Sequence, residues 1–265
     1  MICKKCGARF SDGMFCPECG ASMALVVDLD EKGIEHLEED CDTSKYGTYG
    51  ELEEQCINKE IKINAGGKKV FENKKLIFKN SIIMEETANL EFRNCLLEID
   101  DKVTAIWANK GGNIKFEDCN IKGIGSLIGF RDPDWAPYSG YEDTHCCMFK
   151  FWNCDLSNRG VLIDKIFASA YFEKCIIRGG AIELKDAGGL MSFARDLKSK
   201  LEIRNCVINK MKISVEGNVN LENCTINDSF DSIHSSKKIS VKNCYFDGCY
   251  PEEANGERRS IWERY

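Results

Sequence analysis

The eight residues Leu201-Glu-Ile-Arg-Asn-Cys-Val-Ile208 recur along this chain, and no other feature restricts its fold as much. Related phrases stand at Leu76–Ile83 (with Ser81 in the cysteine position), Leu90–Leu97, Ile114–Ile121, Phe149–Leu156, Ala170–Ile177, Val219–Ile226 and Ile239–Phe246. Each places an apolar residue first and third, usually Asn fifth, Cys sixth and an apolar residue eighth. Apolar residues at period two mark a strand with one buried face. The parity then breaks, because three residues separate Ile203 from Cys206 while both must point inward. The chain has to bend between them. Asn205 sits at that bend, and Asn is the non-glycine residue that best tolerates the left-handed backbone such a corner needs.

Repeated strand–corner–strand units predict stacked coils that share one core. Spacings from Ser81 through the cysteine position run 14, 24, 35, 21, 31, 18 and 20. Values near 20 suit one coil, and 31 and 35 suit a coil with an inserted loop. Fourteen is short for a coil, so the first turns are expected to be irregular or partly hairpin. The phrase resembles the right-handed parallel β-helix of the pectate-lyase-like superfamily, whose corners often carry asparagine ladders. The resemblance covers roughly residues 61–246 and implies a mostly β, single-stranded right-handed solenoid. It is nearly silent on function.

Charge narrows the classes of partner. The chain carries 36 basic and 43 acidic residues over 265 positions, a net of −7. Residues 28–60 alone hold 12 acidic and 3 basic residues, so the rest is close to neutral. That argues against nucleic-acid binding, which needs a concentrated basic face. No apolar run reaches the length of a membrane span, and the Met-Ile-Cys-Lys-Lys start reads as lacking a signal segment. Seven of the 16 cysteines occupy one repeat position, where a small apolar side chain is wanted, and four more form two Cys-x-x-Cys pairs. This is the cysteine usage of a reducing compartment and points to the cytoplasm.

Those two pairs, Cys3/Cys6 and Cys16/Cys19, are each followed by glycine. Two such knuckles can aim four thiolates at one point and make a closed tetrahedral structural zinc site. The segment resembles the minimal zinc ribbons at the N-termini of many bacterial proteins, and so small a segment would fold by binding its metal. The chain divides accordingly into a zinc ribbon (1–24), an acidic connector ending in a cap helix (25–60), the solenoid (61–249) and a C-terminal cap or tail (250–265). The cap helix is read over 49–57 from the spacing of Tyr49, Leu52 and Cys56. It would close the open end of the core.

Outward residues carry whatever specificity exists. The column preceding each Asn reads Lys79, Arg93, Glu117, Trp152, Glu173, Arg204, Glu222 and Lys242, so Trp152 interrupts a run of charges. Tyr171 is expected to point outward one coil later. Leu96, Ile176 and Val207 also point outward, which calls for a cover from an insertion or from a second copy of the chain. Two insertions interrupt the coils. The segment 129–147 contains Asp132, Asp134, Trp135, Tyr138, Tyr141 and His145, and the segment 185–200 follows the same pattern of a loop set on a rigid coil. The expected binding surface therefore comprises Trp135, Tyr138, Tyr141, Trp152, Tyr171, Asp132 and Asp134.

Two functions compete for that surface. The first is a non-enzymatic interaction protein or scaffold, with structural zinc in the ribbon and a protein partner on the coils. The second is a carbohydrate-active lyase or hydrolase using carboxylates of the 129–147 insertion. Such enzymes need paired carboxylates about 5–10 Å apart, or acidic residues clustered around calcium. No acidic residue here recurs in register on adjacent coils, and no Ser/His/Asp or Cys/His spacing stands out. The glycine pairs at 66, 111, 179 and 188 mark turns and lack phosphate-loop spacing. No catalytic residue is assigned.

Overall fold

The structure, a computed structural model, describes residues 52–109, 111–129, 146–158, 160–166, 168–185, 199–227, 233–235, 238–247 and 251–253. The expected zinc ribbon, the connector up to residue 51 and most of both insertions lie outside the described residues. Among those described there is no helix. Every described strand but the last three pairs in parallel with the strand three elements later, which builds three sheets of nine, nine and eight strands. The first sheet begins with Glu53–Ile57, the second with Ile61–Ile63 and the third with Lys68–Glu72. Each coil visits the three in that order. The fold is a parallel β-solenoid, as the repeated phrase implies.

The corner from the third sheet to the first is the most regular feature. Asn73, Asn94, Asp118, Asn153, Lys174, Asn205, Asn223 and Asn243 occupy it in successive coils, all with φ between 48° and 54°. Each corner N–H from Asn73 to Asn223 donates to the carbonyl that precedes the next corner, at 2.9–3.2 Å. The side chains add a second ladder. Asn94 Nδ2 donates to Asn73 Oδ1 at 2.7 Å, Asn153 Nδ2 to Asp118 Oδ1 at 2.7 Å, and Asn243 to Asn223 to Asn205 at 3.2 and 3.1 Å. The amide supplies both a donor and an acceptor, so it can bond upward and downward at once. That is why Asn serves this corner better than glycine, which tolerates the angle but bonds nothing.

Register corrects the sequence reading of the first coil. Lys69 pairs with Leu90, Phe71 with Phe92, Glu72 with Arg93 and Leu76 with Leu97. The phrase in line with the others is therefore Lys69–Leu76, with Asn73 at its corner. The segment Leu76–Ile83 instead runs from the first sheet into the second, across a different corner. The anomalous spacing of 14 disappears, and Glu72 replaces Lys79 at the head of the outward column. Lys74 fills the cysteine position, and its ammonium leaves the end of the stack to meet Glu53 at 2.7 Å. Glu53 lies on the edge strand of this sheet, and the long aliphatic stem of lysine carries the charge out to it.

The expected cap helix also gives way. Glu53–Ile57 is a strand that pairs with Lys74–Phe78, and the solenoid starts at residue 53 rather than 61. Gln55 is half-buried and Ile57 buried, a period of two, while Cys56 is exposed. Glu54 meets Lys75 at 3.1 Å beside the Glu53–Lys74 pair. Short charged strands are a common way to blunt an open edge. At the other end, Pro251–Glu253 pairs with Ile233–Ser235, so the second sheet extends past residue 249.

Inward side chains form one continuous core of stacked columns. Phe71, Phe92, Phe116, Phe151 and Phe172 stack with ring centroids 5.4, 4.9, 4.7 and 4.4 Å apart and planes within 10°. Ile203, Leu221 and Val241 continue the same column. Beside it runs the cysteine column. Cys95, Cys119, Cys154, Cys175, Cys206 and Cys224 are buried at 0–1 % exposure, and each Sγ donates to the carbonyl two residues earlier at 3.0–3.3 Å. That carbonyl precedes the corner, so the thiol closes the inside of the same bend. Burial pushes the Cys154 and Cys206 thiols up, which keeps them protonated donors. Leu96, Ile176 and Val207, expected outward and in need of cover, are 8 %, 6 % and 6 % exposed and so do not face open solvent.

Substitution at Asn205 separates the two demands of the corner. Asn205→Gly keeps the positive φ and loses the side-chain bond to Asn223, with an expected cost of about 1 kcal/mol. Asn205→Val loses the same bond and adds left-handed strain, for an expected total of about 2–3 kcal/mol. Urea denaturation of the two variants measures both values. Equal losses would show that backbone strain does not govern the corner.

Candidate interaction surface

The outer face of the third sheet presents three columns of side chains, on alternate residues of each strand. Over most of the face these are charged and paired. Glu91 meets Lys68 at 2.6 Å and Arg93 at 2.7 Å, and Lys115 meets Glu117 at 2.6 Å. On the far side, Glu202 holds Lys200 and Arg204, and Glu222 meets Arg204 at 3.7 Å and Lys242 at 2.7 Å. The pairs act on the carboxylates. The Lys68 ammonium beside Glu91 holds that carboxyl below its usual range, and Lys242 does the same for Glu222. Of the opposite-sign contacts expected along the outward column, Arg204, Glu222 and Lys242 form ion pairs from coil to coil, whereas Arg93 and Glu117 pair within their own strands.

The central strands Cys147–Trp152 and Ala168–Glu173 break this pattern. Their burial alternates strictly, with Cys147, Phe149 and Phe151 inside and Met148, Lys150 and Trp152 outside. Trp152 is 41 % exposed and Met148 36 %. Register sets Tyr171 opposite Lys150 and Ser169 opposite Met148, so Tyr171 lies diagonally beside Trp152 on the same face. Met148 and Trp152 are about 13 Å apart along the strand, and the neighbouring strand is about 4.8 Å away. The result is a small flat aromatic window between two charge-paired margins.

Two lysines border the rings. Lys174 Nζ lies 5.7 Å from the Trp152 ring centroid, and Lys200 Nζ lies 5.9 Å from that of Tyr171. Lys174 takes the corner position that holds an amide or a carboxylate in the other coils. Its side chain leaves the ladder and reaches to the indole of the coil before it. The two departures from the repeat, Trp152 and Lys174, thus touch each other. A cation over an exposed aromatic face contributes about 0.5–1 kcal/mol. Sequence reasoning found Trp152 and Tyr171 but missed Lys174, whose signal was its replacement of Asn in the repeat. It also missed Met148 and Lys150, which follow from extending the same period two residues toward the N-terminus.

The first insertion joins Ser126–Gly129 of the second sheet to Cys147–Trp152 of the third, and the second joins Ala181–Lys185 to Ser199–Arg204. The strands they lead into flank Ala168–Glu173. Trp135, Tyr138, Tyr141, Asp132 and Asp134 lie outside the described residues. At the base of the first insertion Cys147 is buried, with its Sγ donating to Asn109 O at 2.9 Å, while Cys146 is half-exposed with its Sγ 3.8 Å from Ser169 Oγ. On the second sheet, Trp107 donates Nε1–H to Ser81 Oγ at 3.2 Å and packs beside Gly129, where an added Cβ would crowd the ring. Gly129 is therefore small for a packing reason at the point where the insertion begins.

Among the described residues no group of three or more His, Cys, Asp or Glu side chains is placed to hold a metal. No helix among the described residues is long and apolar enough to cross a membrane. Compared with known protein families, with curated proteins and with solved structures, the chain matches none.

Proposed function

We propose that this chain is a non-enzymatic interaction protein whose solenoid displays the window around Trp152 to a protein partner. The observation that carries the reading is a 41 % exposed tryptophan, with exposed Met148 in the same strand, between margins whose charges neutralise each other. Protein interfaces concentrate their energy in a few aromatic and Arg anchors within a polar rim. A rigid sheet suits this, because it holds the anchor without an ordering cost at binding. A reducing cytoplasmic setting fits the thiol chemistry, since no disulfide joins two of the described cysteines. The solenoid winds right-handed in this reading, because parallel strands joined by a crossover nearly always do.

The window sets the test. The native chain is used as bait against lysate beside Trp152→Ala/Tyr171→Ala and a control, Lys122→Ala, on the first sheet. The expected result is a bound protein retained by the control and weakened roughly thirtyfold or more in the double variant, the loss of a hot spot worth about 2 kcal/mol. Capture that is identical in all three baits would sink the proposal, and glycan binding by the same window would favour the carbohydrate reading.

We further propose that Cys3, Cys6, Cys16 and Cys19 hold one structural zinc, on the strength of their paired knuckle spacing. Metal analysis of protein purified without added zinc should give about one zinc per chain, dropping sharply in Cys3→Ser/Cys6→Ser. Purified wild type free of zinc, or carrying iron in its place, would refute the assignment.

A further inference from the structure

The cysteine column has one end that differs from the rest. Six of its seven members are buried at 1 % exposure or less. The seventh, Cys244, is half-exposed. Toward the N-terminus the column ends under Lys74, which occupies its position in the first coil. Toward the C-terminus Cys244 is the last member, because the third sheet ends with Ile239–Lys242 and the first with Tyr245–Asp247 among the described residues. Among the described residues, Cys244 is the one member of the thiol stack that solvent reaches.

Cys244 lies directly over Cys224. Glu222 pairs with Lys242 and Thr225 with Tyr245, which brackets the two cysteines in register. Asn243 Nδ2 bonds Asn223 Oδ1 at 3.2 Å, and Tyr245 N–H bonds the Cys224 carbonyl at 2.8 Å, so the coils are clamped on both sides of the pair. Stacked coils stand about 4.8 Å apart, inside the roughly 4.4–6.8 Å range of Cα separations that a disulfide spans. Each thiol donates to the carbonyl two residues earlier, Cys224 Sγ to Glu222 O at 3.2 Å and Cys244 Sγ to Lys242 O at 3.3 Å. The neighbouring Cys224 thiol lowers that of Cys244 from its ordinary value, and Cys244 raises that of Cys224. An accessible thiol stacked in register on a buried one is the arrangement of a sensing and a resolving cysteine.

We infer that Cys224 and Cys244 form a redox-sensitive pair, which a peroxide converts to a disulfide joining the last two coils at the corner. The Cys244 thiolate attacks one peroxide oxygen, the O–O bond breaks, and the departing hydroxide takes a proton to leave as water. Cys244 is then a sulfenic acid. The Cys224 sulfur attacks the Cys244 sulfur, the S–O bond breaks, and the Cys224 proton leaves with the hydroxyl as a second water. Two thiols are oxidised by two electrons and one peroxide is reduced to two waters. The other ladder cysteines have equally close neighbours and lack access, so the reaction is confined to the C-terminal end.

The test treats the full-length reduced chain with stoichiometric hydrogen peroxide and maps its peptides without reduction. Cleavage after Tyr245 or Phe246 separates Cys244 from Cys249, which lies outside the described residues. The expected product is a Cys224–Cys244 cross-linked peptide, two hydrogens lighter than the separate thiols and released by dithiothreitol. In Cys224→Ser the same treatment should leave Cys244 as a sulfenic acid trapped by dimedone. In Cys244→Ser, a half-exposed position that keeps the core intact, Cys224 should stay unmodified. A Cys244–Cys249 linkage, an unlinked oxidised Cys244 in wild type, or oxidation spread evenly over the ladder would each overturn the inference.

Discussion

Every coil of this protein depends on one backbone demand, a residue with positive φ between the third sheet and the first. Eight residues in successive coils meet it, and the N–H groups of the first seven bond to the carbonyl that precedes the next corner. Because the corner is repeated at the same angle, the phenylalanines before it and the cysteines after it fall into straight columns. A slip of one residue would turn each column to the wrong face. The corner therefore sets register, and register sets the core. Asparagine meets the angle and adds an amide ladder, which is why it dominates the position.

The columns show how a parallel solenoid fills a narrow interior. Phenylalanine rings stack flat from Phe71 to Phe172, and aliphatic side chains take over from Ile203 onward. Cysteine suits the inside of the bend because it is small and its thiol can donate to the carbonyl that bounds the corner. Serine would supply a better donor but a costlier polar group to bury. Where an adjacent backbone approaches most closely, glycine is required. An added Cβ at Gly217 would overlap the Ser199 carbonyl.

Much of this was legible in the sequence, and the misreadings have physical causes. The phrase gave the fold, the corner and the inward set, because stacked coils must repeat their chemistry. It failed at the first coil, where Lys69 and Lys74 stand at positions that are apolar or cysteine elsewhere. Lys69 lies on the edge strand of its sheet and Lys74 one strand in from the edge, beside Glu53, so long polar side chains can reach out there and the pattern fades. Glu53–Ile57 was misread as a helix for the same reason, since an edge strand rich in Glu carries little hydrophobic signal. Trp152 was read as outward because it interrupts a charged column, and Tyr171 because it falls on the same face one coil later. Lys174 was visible as a missing Asn, yet its contact with the indole depends on coil spacing, which the sequence does not display.

The outer face follows from the same regularity. Paired charges keep most of it soluble and self-satisfied, so an exposed indole and thioether on the central strand stand apart from their surroundings. The coils form a single cooperative stack, and alkylation of the ladder cysteines across a denaturant series tests that most directly. Cys95, Cys119, Cys154, Cys175 and Cys206 should become reactive together, at the denaturant concentration where the sheets unfold, since each is sealed by the coils on either side. Staggered exposure of these five, with some reactive well before the circular dichroism transition, would contradict a continuous core held in register by the corners.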